Sequence, residues 1–168
     1  MIGHVEAWDI GIYAKPDYYF QYDSQEFRDA YAKALTAFES ADWLAPDDVM
    51  AVYNKGYVRL LQGDREQALA CFLEADAREA DVFEVVYHIG ELYMEMDAPE
   101  TARAYLEAAT RANSRSAAVF RSLGACLDRL GLNKEAIQAY KQMANAGTQD
   151  SVLLYNLGNT YLKQGDLG

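Results

Sequence analysis

Residues 153–166 read LLYNLGNTYLKQGD. Leu154, Leu157, Tyr161 and Leu162 fall three or four residues apart, or side by side on one stripe, which is the spacing of one face of an α-helix. Gly165 follows the periodic run directly, where a helix commonly ends on a left-handed residue. Gly158 is the odd feature, because a glycine inside a helix weakens it unless something needs the space. The same glycine recurs as Gly124, Gly90 and Gly56, at intervals of 34 residues. Other positions keep that phase: Ala68, Ala102 and Ala136; Phe72, Leu106 and Tyr140; Ala75 and Ala109, with Met143 third; Gly63, Gly131 and Gly165, with Asp97 standing in the second place. Repetition at this period marks a stacked helical array.

The units each divide into two amphipathic helices. The periodicity predicts helices at about Val49–Gln62, Arg65–Arg78, Phe83–Met96, Glu100–Ala112, Ala117–Leu130, Lys134–Ala146 and Val152–Gln164. Asp81 with Glu84, and Asp97 with Glu100, have capping-box spacing, and Pro99 suits a first helical turn. Gly at one position and Ala at another let paired helices approach closely, with the aromatic residues expected between pairs. Upstream, Asp23, Ser24 and Glu26 signal a helix start, so a helix is expected from about Gln25 to Ala41. Its Ala34, Phe38 and Ala41 fall in phase with a second helix, while Tyr22 holds the glycine position of the missing first one. The preceding residues carry Trp8, Ile10, Ile12, Tyr13, Tyr18, Tyr19, Phe20 and Tyr22. Lys15-Pro16 breaks any helix there. This aromatic arm is expected to pack on the first helices, or to occupy a groove of its own chain or of a neighbour.

Leu154, Leu157, Gly158 and Tyr161 resemble the tetratricopeptide repeat signature. So do Phe120, Leu123, Gly124 and Leu127 followed by Ala136 and Tyr140, and Val86, Ile89, Gly90 and Tyr93 followed by Ala102, Leu106 and Ala109. The first full repeat departs at Lys55 and Arg59, where Leu and Tyr are usual. The resemblance covers residues 49–168, and 23–48 more weakly. It implies an all-α fold, a right-handed superhelical α-solenoid. The expected organisation is an arm (1–22) and a repeat domain (23–168), built from a degenerate repeat (23–48), repeats 49–82, 83–116 and 117–150, and a terminal helix (151–168).

Composition narrows the function classes. The chain of 168 residues has formal charge −11, the opposite of what phosphate backbones and anionic membrane surfaces select. No apolar run approaches the roughly 20 residues of a membrane span, and Glu6 and Asp9 interrupt the N-terminal segment that a leader peptide would keep apolar. Cytoplasmic localisation is expected. Cys71 and Cys126 stand apart on apolar faces and are expected as small buried hydrophobes. No metal-ligand spacing, P-loop or dinucleotide fingerprint occurs. His88 beside Glu91 is thin material for acid–base chemistry, and His4 is the other histidine. No catalytic residue, cofactor or metal is expected.

The family resemblance places a ligand groove on the first helix of each repeat. Carried over by phase, its residues are Tyr53, Asn54 and Tyr57; Tyr87, His88 and Glu91; Arg121, Asp128 and Arg129; Tyr155, Asn156 and Asn159. Tyrosine offers contact area with a polar tip, asparagine pairs with an extended backbone, and arginine takes a carboxylate. The family's carboxylate clamp is not matched: Tyr53, Tyr57 and His88 replace a Lys and two Asn, and Ala118 and Ser122 replace the last two basic residues. The expected function is a scaffold or adaptor that binds a peptide or helix of another protein. The alternatives are a small acidic secretion-type chaperone and a structural repeat protein that self-associates through residues 1–22 or 151–168. A regulatory domain attached to a catalytic region outside this sequence is a further expectation, because the chain stops after the first helix of a fourth unit.

Overall fold

The structure, a computed structural model, describes residues 25–147 and 151–165. The aromatic arm, the Asp23/Ser24 cap signal and His4 lie outside the described residues. Among the described residues eight helices follow one another: α1 (Gln25–Leu44), α2 (Val49–Leu61), α3 (Arg65–Arg78), α4 (Phe83–Glu95), α5 (Pro99–Ala112), α6 (Ala117–Arg129), α7 (Asn133–Asn145) and α8 (Ser151–Gln164). The described residues contain no strand, and no described helix is long and apolar enough to cross a membrane. The molecule is an all-α solenoid. Helices α2/α3, α4/α5 and α6/α7 pack as antiparallel pairs, and each pair stacks on the next through α3·α4, α5·α6 and α7·α8. Helix α1 packs on α2 as the second helix of a pair packs on the next first helix.

The repeated glycines explain the close pairing. A Cβ on Gly56 would stand 2.8 Å from the Phe72 ring, one on Gly90 2.7 Å from Leu106, and one on Gly124 2.5 Å from Tyr140. The large residue of each second helix therefore seats on the glycine of its own pair. The sixteen-residue offset joins the two helices of one unit, and Phe72 also meets His88 of the next pair at 5.3 Å between ring centroids, so it fills space between pairs as well. Ala68, Phe72, Ala102, Leu106, Ala136 and Tyr140 are buried around these contacts.

Turn chemistry holds the phase. Gly63 (φ 80°), Asp97 (φ 59°) and Gly131 (φ 72°) take the left-handed backbone after α2, α4 and α6. The following amide then reaches back to the helix, from Asp64 N–H to Arg59 O (3.0 Å), Ala98 to Tyr93 (2.9 Å) and Leu132 to Leu127 (2.9 Å). The capping boxes expected at Asp81 and Asp97 do not form. The N-caps are Val82 and Ala98, neither with a side-chain cap bond. Both aspartates sit one residue earlier, at positive φ (61° and 59°), where a short polar side chain tolerates that conformation better than most. Asp48, Asp64 and Ser116 are the side-chain caps, accepting from Met50, Gln67 and Val119 N–H. Helix α1 runs three residues beyond its expected end at Ala41, to Leu44, and stops just short of Pro46, which disfavours helical backbone before it.

Candidate functional site

The first helices of successive pairs touch one another, α4 with α6 and α6 with α8, and rings of α2 meet those of α4. Helices α2, α4, α6 and α8, which carry the expected groove residues, therefore line the inner side of the stack.

The best-built part is an aromatic box between α2 and α4. The His88 ring lies 5.7 Å from Tyr53, 5.8 Å from Tyr57, 5.3 Å from Phe72 and 5.5 Å from Tyr87, between ring centroids. Tyr53 and Tyr57, one helical turn apart on α2, stack at 6.4 Å, and Phe83 stacks on Tyr87 at 6.1 Å. Phe72 reaches the box because Gly56 leaves room for its ring. His88 Nδ1 lies 2.8 Å from the Glu84 carbonyl oxygen. A carbonyl only accepts, so Nδ1 carries the proton and Nε2 keeps its lone pair. Burial holds the His88 pKa below its usual 6.5, so the ring is neutral at neutral pH, with the Glu84 carbonyl and carboxylate opposing the shift. Burial likewise pushes the Tyr53 phenol well above its ordinary range.

A polar cluster continues the box toward α6. Glu91 is half-buried, and loss of water raises its carboxyl pKa above 4.5; Ser122, Arg121 and Tyr87 draw it back, and Glu95 adds to the rise. Tyr87 is raised by burial and then by Glu91, with Ser122 and Arg121 opposing. The sequence thus brings Tyr53, Tyr57, Tyr87, His88, Glu91 and Arg121 into one connected surface, with Asn54 beside Tyr53 on α2.

The remaining expected residues are placed differently. Arg129 donates to the Met94 carbonyl (2.9 Å) and pairs with Asp97, clamping α6 to the end of α4. Asp128 accepts from Thr160 Oγ1 (3.4 Å) and pairs with Lys163, holding α8 to α6. Both are committed to joining repeats. Tyr155, Asn156 and Asn159 stand on α8, with Tyr155 strongly exposed. The side-chain amides of Asn54, Asn156 and Asn159 have no hydrogen-bond partner among the described residues. Phe72, Phe83 and Ser122 join the site without having been expected as groove residues. For Phe72 the signal was present in its fixed offset from Gly56.

Among the described residues no group of His, Cys, Asp and Glu could hold a metal ion. Cys126 is buried and donates to the Pro99 carbonyl at 3.2 Å, and burial pushes its thiol up to about 11. Cys71 is half-buried and also raised by burial. Neither is poised as a nucleophile at neutral pH.

Residues 87–151 match the sequence profile of the tetratricopeptide repeat family. Among solved structures the chain is similar to YrrB, described as a tetratricopeptide repeat protein with an unusual peptide-binding site. The identity is 20%, with 90% of this chain and 76% of that one covered, and the TM-score is 0.75. It is similar to MamA at 19% identity, covering 89% and 82%, with a TM-score of 0.74. It is also similar to the first repeat domain of Spaghetti (RPAP3) bound to the HSP90 peptide SRMEEVD, at 14% identity, covering 70% and 93%, with a TM-score of 0.65. A comparison with curated proteins returned no match. At these identities the structural neighbours establish the fold.

Proposed function

We propose that the chain, whose residues 87–151 match the tetratricopeptide repeat family and whose helices share the fold of such proteins, is a non-enzymatic interaction scaffold binding an extended segment of another protein along α2, α4 and α6. The observation that carries this reading is the aromatic box of Tyr53, Tyr57, Tyr87 and His88 running directly into Glu91 and Arg121. The half-buried Tyr57 and Tyr87 supply contact area at low entropic cost and keep a hydroxyl for hydrogen bonding. The lone pair on His88 Nε2 accepts a backbone N–H, and the Asn54 amide pairs with a peptide unit. Two neighbouring solenoids are described with peptides or a peptide-binding site, which supports a ligand of this class.

The ligand differs from a chaperone tail. Tyr53, Tyr57 and His88 occupy the clamp positions, and Ala118 and Ser122 remove its last cations. The favoured peptide presents an apolar or aromatic side chain to the box and a carboxylate to Arg121, with neutral or basic flanks suited to an acidic protein. Selection from a peptide library, followed by fluorescence anisotropy, tests this. Tyr57→Ala with Tyr87→Ala should weaken a selected peptide at least tenfold, because buried aromatic anchors are each worth about 2 kcal/mol. Unchanged affinity in that variant, with helicity retained, would move the site elsewhere on the molecule.

A further inference from the structure

Glu91 on α4 and Arg121 on α6 have no oppositely charged side chain within 4.0 Å among the described residues. The other charged groups expected in the groove are tied down, Arg129 to Asp97 and Asp128 to Lys163. So are the charges that join α1 to the array, Asp42 with Arg78 and Lys55. Where charged groups join these helices, they touch. Glu91 and Arg121 are near enough to act on one another electrostatically, yet they stay apart.

The surroundings of Glu91 suit a cation. It lies one helical turn after Tyr87 and three residues after His88, so the three side chains share a face of α4. The hydroxyls of Ser122 and Tyr87 stand beside its carboxylate. Repeat phase puts Tyr57 at the equivalent position of α2 and Ala125 at that of α6. An aromatic ring thus precedes the carboxylate along the array, and only a methyl group follows it. Glu91 is half-buried. Burial raises its carboxyl pKa above 4.5, so Ser122, Arg121 and Tyr87 do not make up for the water it has lost. An ammonium would. It supplies three donors for the carboxylate and the two hydroxyls, and tyrosine faces attract it.

We propose that Glu91 selects a lysine in the bound segment, its ammonium held by the carboxylate and flanked by the rings of Tyr57 and Tyr87. The proposal rests on the groove reading above and adds an order to it. An apolar or aromatic residue enters the box, lysine follows at Glu91, and a carboxylate follows at Arg121. That carboxylate neutralises Arg121, which would otherwise repel the lysine. A protein of charge −11 attracts basic segments at long range; Glu91 gives the preference a position.

The test uses the full chain and peptides selected on it from a synthetic library. Selected peptides should carry lysine at one fixed place, between the anchor and an acidic residue. Replacing that lysine with norleucine removes the ammonium and should weaken binding to wild type at least about tenfold, as loss of one member of a buried charge pair does. The same replacement should change binding to Glu91→Gln by less than about twofold, because the coupling is already gone. Glu91→Lys should select glutamate or aspartate at that place. Glu91→Gln removes a desolvated charge and should melt no lower than wild type. Peptides that weaken with Tyr57→Ala and Tyr87→Ala, but carry no fixed lysine or respond equally to norleucine on wild type and Glu91→Gln, would overturn this proposal and leave the groove reading standing. A lower melting temperature in Glu91→Gln with unchanged peptide selection would make the carboxylate part of the scaffold instead. Peptides indifferent to all of these substitutions would overturn both readings.

Discussion

Gly124 and Gly158 occupy the same repeat position, and their surroundings give one substitution opposite signs. Alanine at Gly124 puts a Cβ 2.5 Å from the Tyr140 ring, itself buried and unable to retreat. It should destabilise the fold by about 1–3 kcal/mol through overpacking. Alanine at Gly158 meets nothing and should stabilise α8 by about 1 kcal/mol through helix propensity. Urea titrations of the two variants at low protein concentration check the contrast. His88 gives a second residue-scale prediction. Its folded pKa lies below the usual 6.5 because the ring is buried among Tyr53, Tyr57, Phe72 and Tyr87. Between the two values the unfolded chain binds more protons, so stability rises with pH there. The contribution is present in full above about 6.5 and is lost as pH falls through the folded pKa. His88→Phe should therefore flatten the fall in melting temperature between neutral and mildly acidic pH. If wild type and variant fall in parallel, His88 is not the buried neutral group described. The family resemblance pointed to His88, Tyr53, Tyr57 and Tyr87, but the sequence did not show that Glu84 O fixes the Nδ1–H tautomer. That depends on a side-chain rotamer set by packing.

The helices themselves were legible because several of them begin or end on local chemistry. Asp64 accepts from Gln67 N–H at 3.1 Å, and Asp64→Ala should cost about 1 kcal/mol in a denaturant titration. Asp97 carries the same residue type with a different role. At φ 59° it occupies the position held by Gly63 and Gly131, and its ion pair with Arg129 is largely exposed, the kind of pair worth little. Asp97→Gly should leave stability unchanged or raise it by up to about 1 kcal/mol, since glycine enters the left-handed region without penalty. A capping role would instead make it destabilising. Aspartate followed three residues on by glutamate is compatible with both structures. Only the backbone decides between them, and here the reach-back bonds from Ala98 to Tyr93 and from Leu132 to Leu127 hold the same turn after α4 and α6.

At the scale of the molecule, stability is distributed along one dimension, each pair resting on its neighbours. The interior helices α4, α5 and α6 supply fully buried Val85, Ile89, Leu92, Ala102, Leu106 and Val119. Helix α1 buries no residue and is held by Asp42 pairing with Arg78 (2.5 Å) and Lys55 (2.9 Å). Arg78 first, then Lys55, keeps the Asp42 carboxyl below its usual 3.8. Amide exchange on dilute protein should accordingly be slowest in α4–α6 and fastest in α1 and α8; uniform protection along the array would contradict this gradient. The sequence by itself determined the helix count among the described residues and their pairing, because a 34-residue period fixes which side chains repeat on which side. Tertiary structure decided what each repeated position does. Arg129 and Asp128 were expected to reach for a ligand, yet α4 and α8 bring Asp97, Met94 O, Thr160 and Lys163 to them. Phe72 entered the aromatic box because Gly56 opened the way. A period specifies positions along a chain, whereas the neighbour that meets each position is set by packing in space.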